Sequence, residues 1–100
     1  MNANVPLARK LILHSPVSNE AALASFVERC LEDGVSLIVI VGPGSVELES
    51  QIDSLIVGDG SHPSRFICTT SHPDDDYDEV VNMVECWELD RRDPYRVVRL

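Results

Sequence analysis

The sequence predicts an α/β fold: a three-layer α/β/α sandwich on a four-stranded, mainly parallel sheet. Short apolar runs alternate with segments of helical periodicity in the order βαβαβαβ, and such alternation builds parallel sheets with helices on both faces. The run Val35 to Gly42, "VSLIVIVG", is β-branched and apolar on both alternating faces, the mark of a strand covered on both sides. A length of 100 residues suits one domain, residues 1–100, with a modest core and no second lobe.

The first strand is "KLILH", Lys10 to His14, broken by Ser15-Pro16. Leu23, Phe26, Val27, Cys30 and Leu31 then mark one face of a helix, with Ser15 or Ser18 expected to cap its start and Gly34 to close it in the left-handed conformation. Val35 to Gly42 is the expected centre of the sheet. After Pro43-Gly44-Ser45, the spacing of Leu48, Ile52, Leu55 and Ile56 predicts a second helix that ends at "GDGSHPS".

"RFICTT", Arg65 to Thr70, is the third strand, and Tyr77, Val80, Val81, Val84 and Trp87 predict a third helix running to about Leu89. "YRVVRL" is the fourth strand, with Arg96 and Arg99 suited to a sheet edge. Because the second strand is the most apolar, the order 3-2-1-4 is preferred over 2-1-3-4. Either is a Rossmann-like or flavodoxin-like half.

Composition excludes several functions. The net charge is −9, and it is uneven: residues 1–90 carry 16 acids against 4 bases, while residues 91–100 carry 1 acid against 4 bases. An acidic body repels phosphate backbones, so no nucleic-acid partner is expected, and a protein with a basic surface fits better. No run approaches the ~18 apolar residues of a membrane span, and the first residues lack the pattern of a signal peptide, so the expectation is a cytoplasmic protein with no membrane partner. Cys30, Cys68 and Cys86 are widely separated, without Cys-x-x-Cys, and each lies in an apolar pattern that favours a buried structural thiol. No cofactor is expected.

In open α/β sheets ligands bind beyond the carboxyl ends of the strands. Three loops meet there, and they bring together the candidate rim residues His14, Ser15, Gly44, Ser45, Thr70, Ser71, His72, Asp74, Asp75 and Asp76. His62 falls on the opposite edge. Ser-His-Pro occurs at both 61–63 and 71–73, so the tripeptide alone carries no functional meaning.

The chemistry of this edge has several readings. "VGPGS" between strand and helix offers amides to an anion, but it lacks the Walker spacing and lysine, and Glu47 and Glu49 in the first helical turn oppose one; Ser45 is expected as the helix cap. Asp74, Asp76, Asp78 and Glu85 have the spacing of a calcium loop, yet Glu79 stands where that loop needs glycine and the helix-loop-helix context is missing. A looser metal site would use His14, His72 and one aspartate.

Nucleophilic catalysis would pair Ser15, Ser45 or Ser71 with His14 or His72, but no nucleophile-elbow sequence marks them, and no catalytic residue is assigned. A receiver phosphoacceptor fits poorly, because the first and third strands end in His14-Ser15 and Thr69-Thr70 rather than aspartates and the chain has no lysine besides Lys10. The simplest reading of the acids is a helix start, with Ser71 and Asp74 as a capping box and carboxylates complementing the helix dipole. Five acids in the six residues Asp74 to Glu79 exceed what one helix start uses.

The segments "IDSLIVGDGS", "SRFICTTSHPDD" and "DEVVNMVECWEL" resemble a family of small bacterial proteins of unknown function built as a single α/β domain. Gly58-Asp59-Gly60-Ser61, Arg65-Phe66 and Thr69-Thr70-Ser71-His72 carry the likeness, which spans roughly Leu11 to Trp87. The resemblance implies the fold and no activity, cofactor or catalytic residue. By composition alone the chain is also similar to some immunity proteins of bacterial toxin systems.

These readings converge on a small acidic cytosolic protein-binding or regulatory module, immunity-like or adaptor-like, acting through the carboxyl-edge rim and more readily non-enzymatic than enzymatic. The alternative is a metal- or anion-dependent enzyme at the same edge. A homodimer through the C-terminal edge strand is a third expectation.

Overall fold

The computed structural model describes residues 9–58, 66–87 and 95–100. Four strands, β1 (Lys10–His14), β2 (Leu37–Val41), β3 (Cys68–His72) and β4 (Tyr95–Arg99), form one all-parallel sheet in the order β3-β2-β1-β4. Helices α1 (Glu20–Asp33), α2 (Ser45–Val57) and α3 (Tyr77–Glu85) provide the crossovers. The preferred strand order is the one observed.

Side chains alternate across the sheet, so each strand feeds two cores. Leu11, Leu13, Ile38 and Ile40 pack with Leu23, Val27 and Cys30 of α1 and Leu48, Ile52 and Ile56 of α2. On the other face Ile12, Leu37, Val39 and Val41 pack with Val80 and Val84 of α3. Leu11 to Leu13 and Leu37 to Ile40 have no solvent exposure, as expected for the centre of a doubly covered parallel sheet.

Register places three rows of residues on the α3 face. Cys68, Leu37, Lys10 and Tyr95 form the amino-edge row; Thr70, Val39, Ile12 and Val97 form the middle one; His72, Val41, His14 and Arg99 form the carboxyl-edge row.

Several expected boundaries move. Asn19, not Ser15 or Ser18, caps α1: its side chain accepts from the Ala22 N–H while its backbone stays extended at φ −128° and ψ 95°. Gly34 closes the helix at φ 76°, as expected. Ser45 does not cap α2, because Gly44 holds the cap position and the Ser45 hydroxyl is buried without a partner among the described residues. The expected start of the third strand at Arg65 lies outside the described residues, and β3 runs Cys68–His72, with its ladder to β2 starting at the Leu37–Cys68 pair.

The expected box of Ser71 and Asp74 fails because Ser71 belongs to β3 and α3 starts only at Tyr77. α3 itself stops at Glu85, and its expected last turn reaches residues outside those described. His62 and the first Ser-His-Pro also lie outside them.

The thiols differ in setting. Burial, with Asp33 adding to it and Arg29 opposing, pushes the Cys30 thiol up to about 12, as befits an inert core residue. Cys68 is half-buried, and Cys86 is exposed at the end of α3 rather than buried. No described helix is long and apolar enough to cross a membrane.

Lys10 has no counterpart in the sequence reading. The chain's only lysine is fully buried, and its Nζ has no hydrogen-bond partner among the described residues. An unsatisfied buried donor costs about 1–3 kcal/mol. Lys10→Met keeps the apolar stem and deletes the ammonium group, so the variant is expected to be more stable by roughly that amount. Urea unfolding at equal slope measures it; an unchanged or lowered midpoint would show that the ammonium group is satisfied.

Candidate functional site

The carboxyl edge is assembled by close backbone approach between the β1 and β2 loops. The Ser15 N–H donates to the Val41 carbonyl at 2.8 Å, and the Ser15 hydroxyl donates to the Pro43 carbonyl at 2.6 Å. Gly42 lies at φ 100°, and a Cβ there would stand 2.7 Å from the Ser15 carbonyl oxygen. Only glycine serves at such a position. The Gly42 N–H donates to the His72 carbonyl at 3.2 Å, which joins the third loop to the other two.

Strand order reverses between β1 and β4, where His14 and Arg99 are register partners. This is the topological switch point at which open α/β sheets bind ligands. The His14 ring stacks on Tyr77 at the start of α3, with centroids 5.7 Å apart and planes at 29°. Its Nε2 is buried and unpartnered among the described residues. Burial first, and the Arg99 charge second, hold the His14 pKa below its ordinary value.

His72 shares this face but sits two strands away, about 10 Å at the backbone. Its Nδ1 lies 2.6 Å from Asp75 Oδ2, and its Nε2 lies 3.0 Å from Thr70 Oγ1. A carboxylate only accepts, so Nδ1 carries a proton, and Nε2 shares the second hydrogen bond with the Thr70 hydroxyl. Both nitrogens of His72 are thus engaged within its own strand and loop.

The other candidate residues divide clearly. Asp76 caps α3 by accepting from the Asp78 N–H at 2.9 Å, and Asp78 and Glu79 fill the first turn. Asp74 is exposed beside them. Ser71 faces the opposite side of the sheet from His72, because adjacent strand residues alternate. Ser15 is committed to Pro43 and Ser45 is enclosed beneath α2, so neither hydroxyl is bonded to a histidine. Gly44 completes the turn at φ 75°, with the Ser15 hydroxyl 3.6 Å from where its Cβ would be.

No group of three or more His, Cys, Asp or Glu residues able to hold a metal ion occurs among the described residues. Asp74, Asp76, Asp78 and Glu85 therefore do not form one: Asp76 is turned into the cap and Glu85 lies at the far end of α3.

Sequence reasoning missed Tyr77 and Arg99 as members of this edge. Helical spacing assigned Tyr77 to the core and edge protection explained Arg99. Aligning Lys10–His14 with Tyr95–Arg99 end to end would have placed His14 against Arg99.

The family model described as "Domain of unknown function (DUF7684)" matches residues 2–86, so the chain belongs to that family. No curated protein and no solved structure matches it.

The lowered His14 pKa sets a pH dependence. A group whose folded pKa is depressed contributes fully above its unfolded value, near 6.5, and that contribution is lost as pH falls through the folded value. His14→Phe keeps a ring against Tyr77 and removes the titration. Between about pH 7.5 and about pH 5 the native chain is expected to lose more stability than the variant, read as urea midpoints. Equal losses in both proteins would contradict it.

Proposed function

We propose that this member of the DUF7684 family is a non-catalytic protein-binding module, Rossmann-like in its half-sheet and working in the bacterial cytosol, whose carboxyl-edge rim engages a basic surface on a partner. One observation carries the reading. Of the five acids from Asp74 to Glu79, Asp75 is bound to His72 and Asp76 caps α3, while Asp74, Asp78 and Glu79 stay exposed with no basic partner among the described residues.

Acids in the first turn contribute about 0.3–1 kcal/mol each through the helix dipole. That accounts for Asp78 and Glu79 as helix-starting residues but leaves the concentration of like charge uncompensated. A basic surface neutralises it, and such complementarity raises association rate and specificity more than affinity. The histidines fit this role better than catalysis, since His72 is saturated and His14 is bonded to no described hydroxyl.

A poly-arginine peptide serves as probe. Binding measured by fluorescence anisotropy is expected to weaken steeply as salt rises past ~0.1 M, where the screening length falls to about 10 Å. The triple variant Asp74→Asn, Asp78→Asn, Glu79→Gln is expected to remain folded and to bind about tenfold more weakly. Binding that is indifferent to salt, or equal in the triple variant, would refute the reading. Thermal shift with Ca²⁺, Mg²⁺, Mn²⁺, Zn²⁺ and phosphate separates the alternative: a ligand at a hundred times its dissociation constant stabilises by ~2.7 kcal/mol, and such a shift would favour a metal- or anion-dependent enzyme.

A further inference from the structure

We infer that the free edge of β3 is a second docking site, which takes an extended segment of a partner protein as an added strand. The segment carries a basic residue followed or preceded, two positions away, by an apolar one. This site lies along β3 and α2 and does not depend on the carboxyl-rim reading.

Among the described residues β3 is the outermost strand of the sheet and pairs only with β2. The Cys68 N–H donates to the Ser36 carbonyl and the His72 carbonyl accepts from the Gly42 N–H, so Cys68 and His72 direct their backbone groups toward β2. In a parallel strand these directions alternate, which turns the N–H and C=O of Thr69 and Ser71 to the open side. Such a row of free backbone groups is a template for another strand.

Along this edge runs a groove of about 470 Å³ lined by Glu49, Asp53, Ile56 and Val57 of α2 and by Phe66 to Thr69. Its floor is apolar. Phe66 is 73% exposed and Val57 is 56% exposed, large side chains that water covers poorly.

Charge chooses the occupant. Thr69 Oγ1 lies 2.6 Å from Asp53 Oδ1 and 3.1 Å from Glu49 Oε2. A hydroxyl has one proton, so it donates to one carboxylate and leaves the other against its lone pairs. Glu49 and Asp53 are also one helical turn apart, where like charges repel, and no cation among the described residues pairs with either. A guanidinium or ammonium group resolves both faults.

Spacing fixes the motif. From Asp53 to Val57 a helix advances about 6 Å, and two residues of a strand advance ~6.6 Å. A basic side chain seated at Glu49 and Asp53 thus places the side chain two residues along against Val57 and Phe66.

The test uses a labelled heptapeptide of alternating arginine and valine, its glutamate-for-arginine counterpart, and the full chain. Saturable binding of the arginine peptide alone is expected. Ser71→Pro removes an N–H that β2 does not use, so it is expected to keep the fold by circular dichroism and to weaken binding about tenfold. The double variant Glu49→Gln, Asp53→Asn is expected to weaken it by about the same factor. The rim variant Asp74→Asn, Asp78→Asn, Glu79→Gln is expected to leave it within about twofold. Binding unaffected by both groove variants, or lost only in the rim variant, overturns the inference. So does concentration-dependent dimerisation that Ser71→Pro abolishes, since the edge would then be taken by a second copy of the chain.

Discussion

The burial of β1 and β2 on both faces governs everything else in this molecule. Two adjacent strands whose central residues have no solvent exposure need a helix layer above and another below, and the three helices among the described residues supply them. Strand-to-strand crossovers share one hand. Stepping from β1 to β2 to β3 in one direction therefore stacks α1 and α2 on one face, and only a return across the whole sheet to β4 brings α3 to the other. That return creates the switch point and sets Arg99 beside His14. It also leaves β3 alone at one edge.

The same constraint explains which parts of the sequence were legible. Burial writes itself into apolar periodicity, so the element order and the parallel sheet could be read directly, the apolar second strand favoured 3-2-1-4 over 2-1-3-4, and Gly34 could be placed as a left-handed cap. Caps and strand ends depend on backbone angles and register, which leave fainter marks. Asn19 took the role expected of Ser15 or Ser18, and Asp76 the role expected of Ser71 with Asp74. Lys10 was hidden for another reason: a lone lysine at the start of an apolar run reads as a strand terminus reaching for water, whereas it lies fully buried between its partner strands.

At the carboxyl edge the sequence gathered the right loops but overstated their chemical freedom. Ser15 holds the β2 turn, Gly42 lets the backbones meet, His72 closes on Asp75 and Thr70, and Asp76 starts α3. Polar residues that looked like candidate reactants are mostly spent on architecture. What the architecture leaves over is charge: Asp74, Asp78 and Glu79 at the rim, and Glu49 with Asp53 around a single hydroxyl. Both remainders are what the proposed cationic partners would meet, and among the described residues no group of three or more His, Cys, Asp or Glu is placed to hold a metal ion.

The most direct test of this account is backbone amide chemical-shift mapping during titration with a basic partner protein. Perturbations at residues 74–79 and the adjoining His14 and His72 strand ends are the predicted outcome, whether or not Glu49, Asp53 and the β3 edge respond as well. A response centred on Ser15, Gly44 and Ser45, with residues 74–79 unmoved, would contradict it and return the carboxyl edge to small-ligand chemistry.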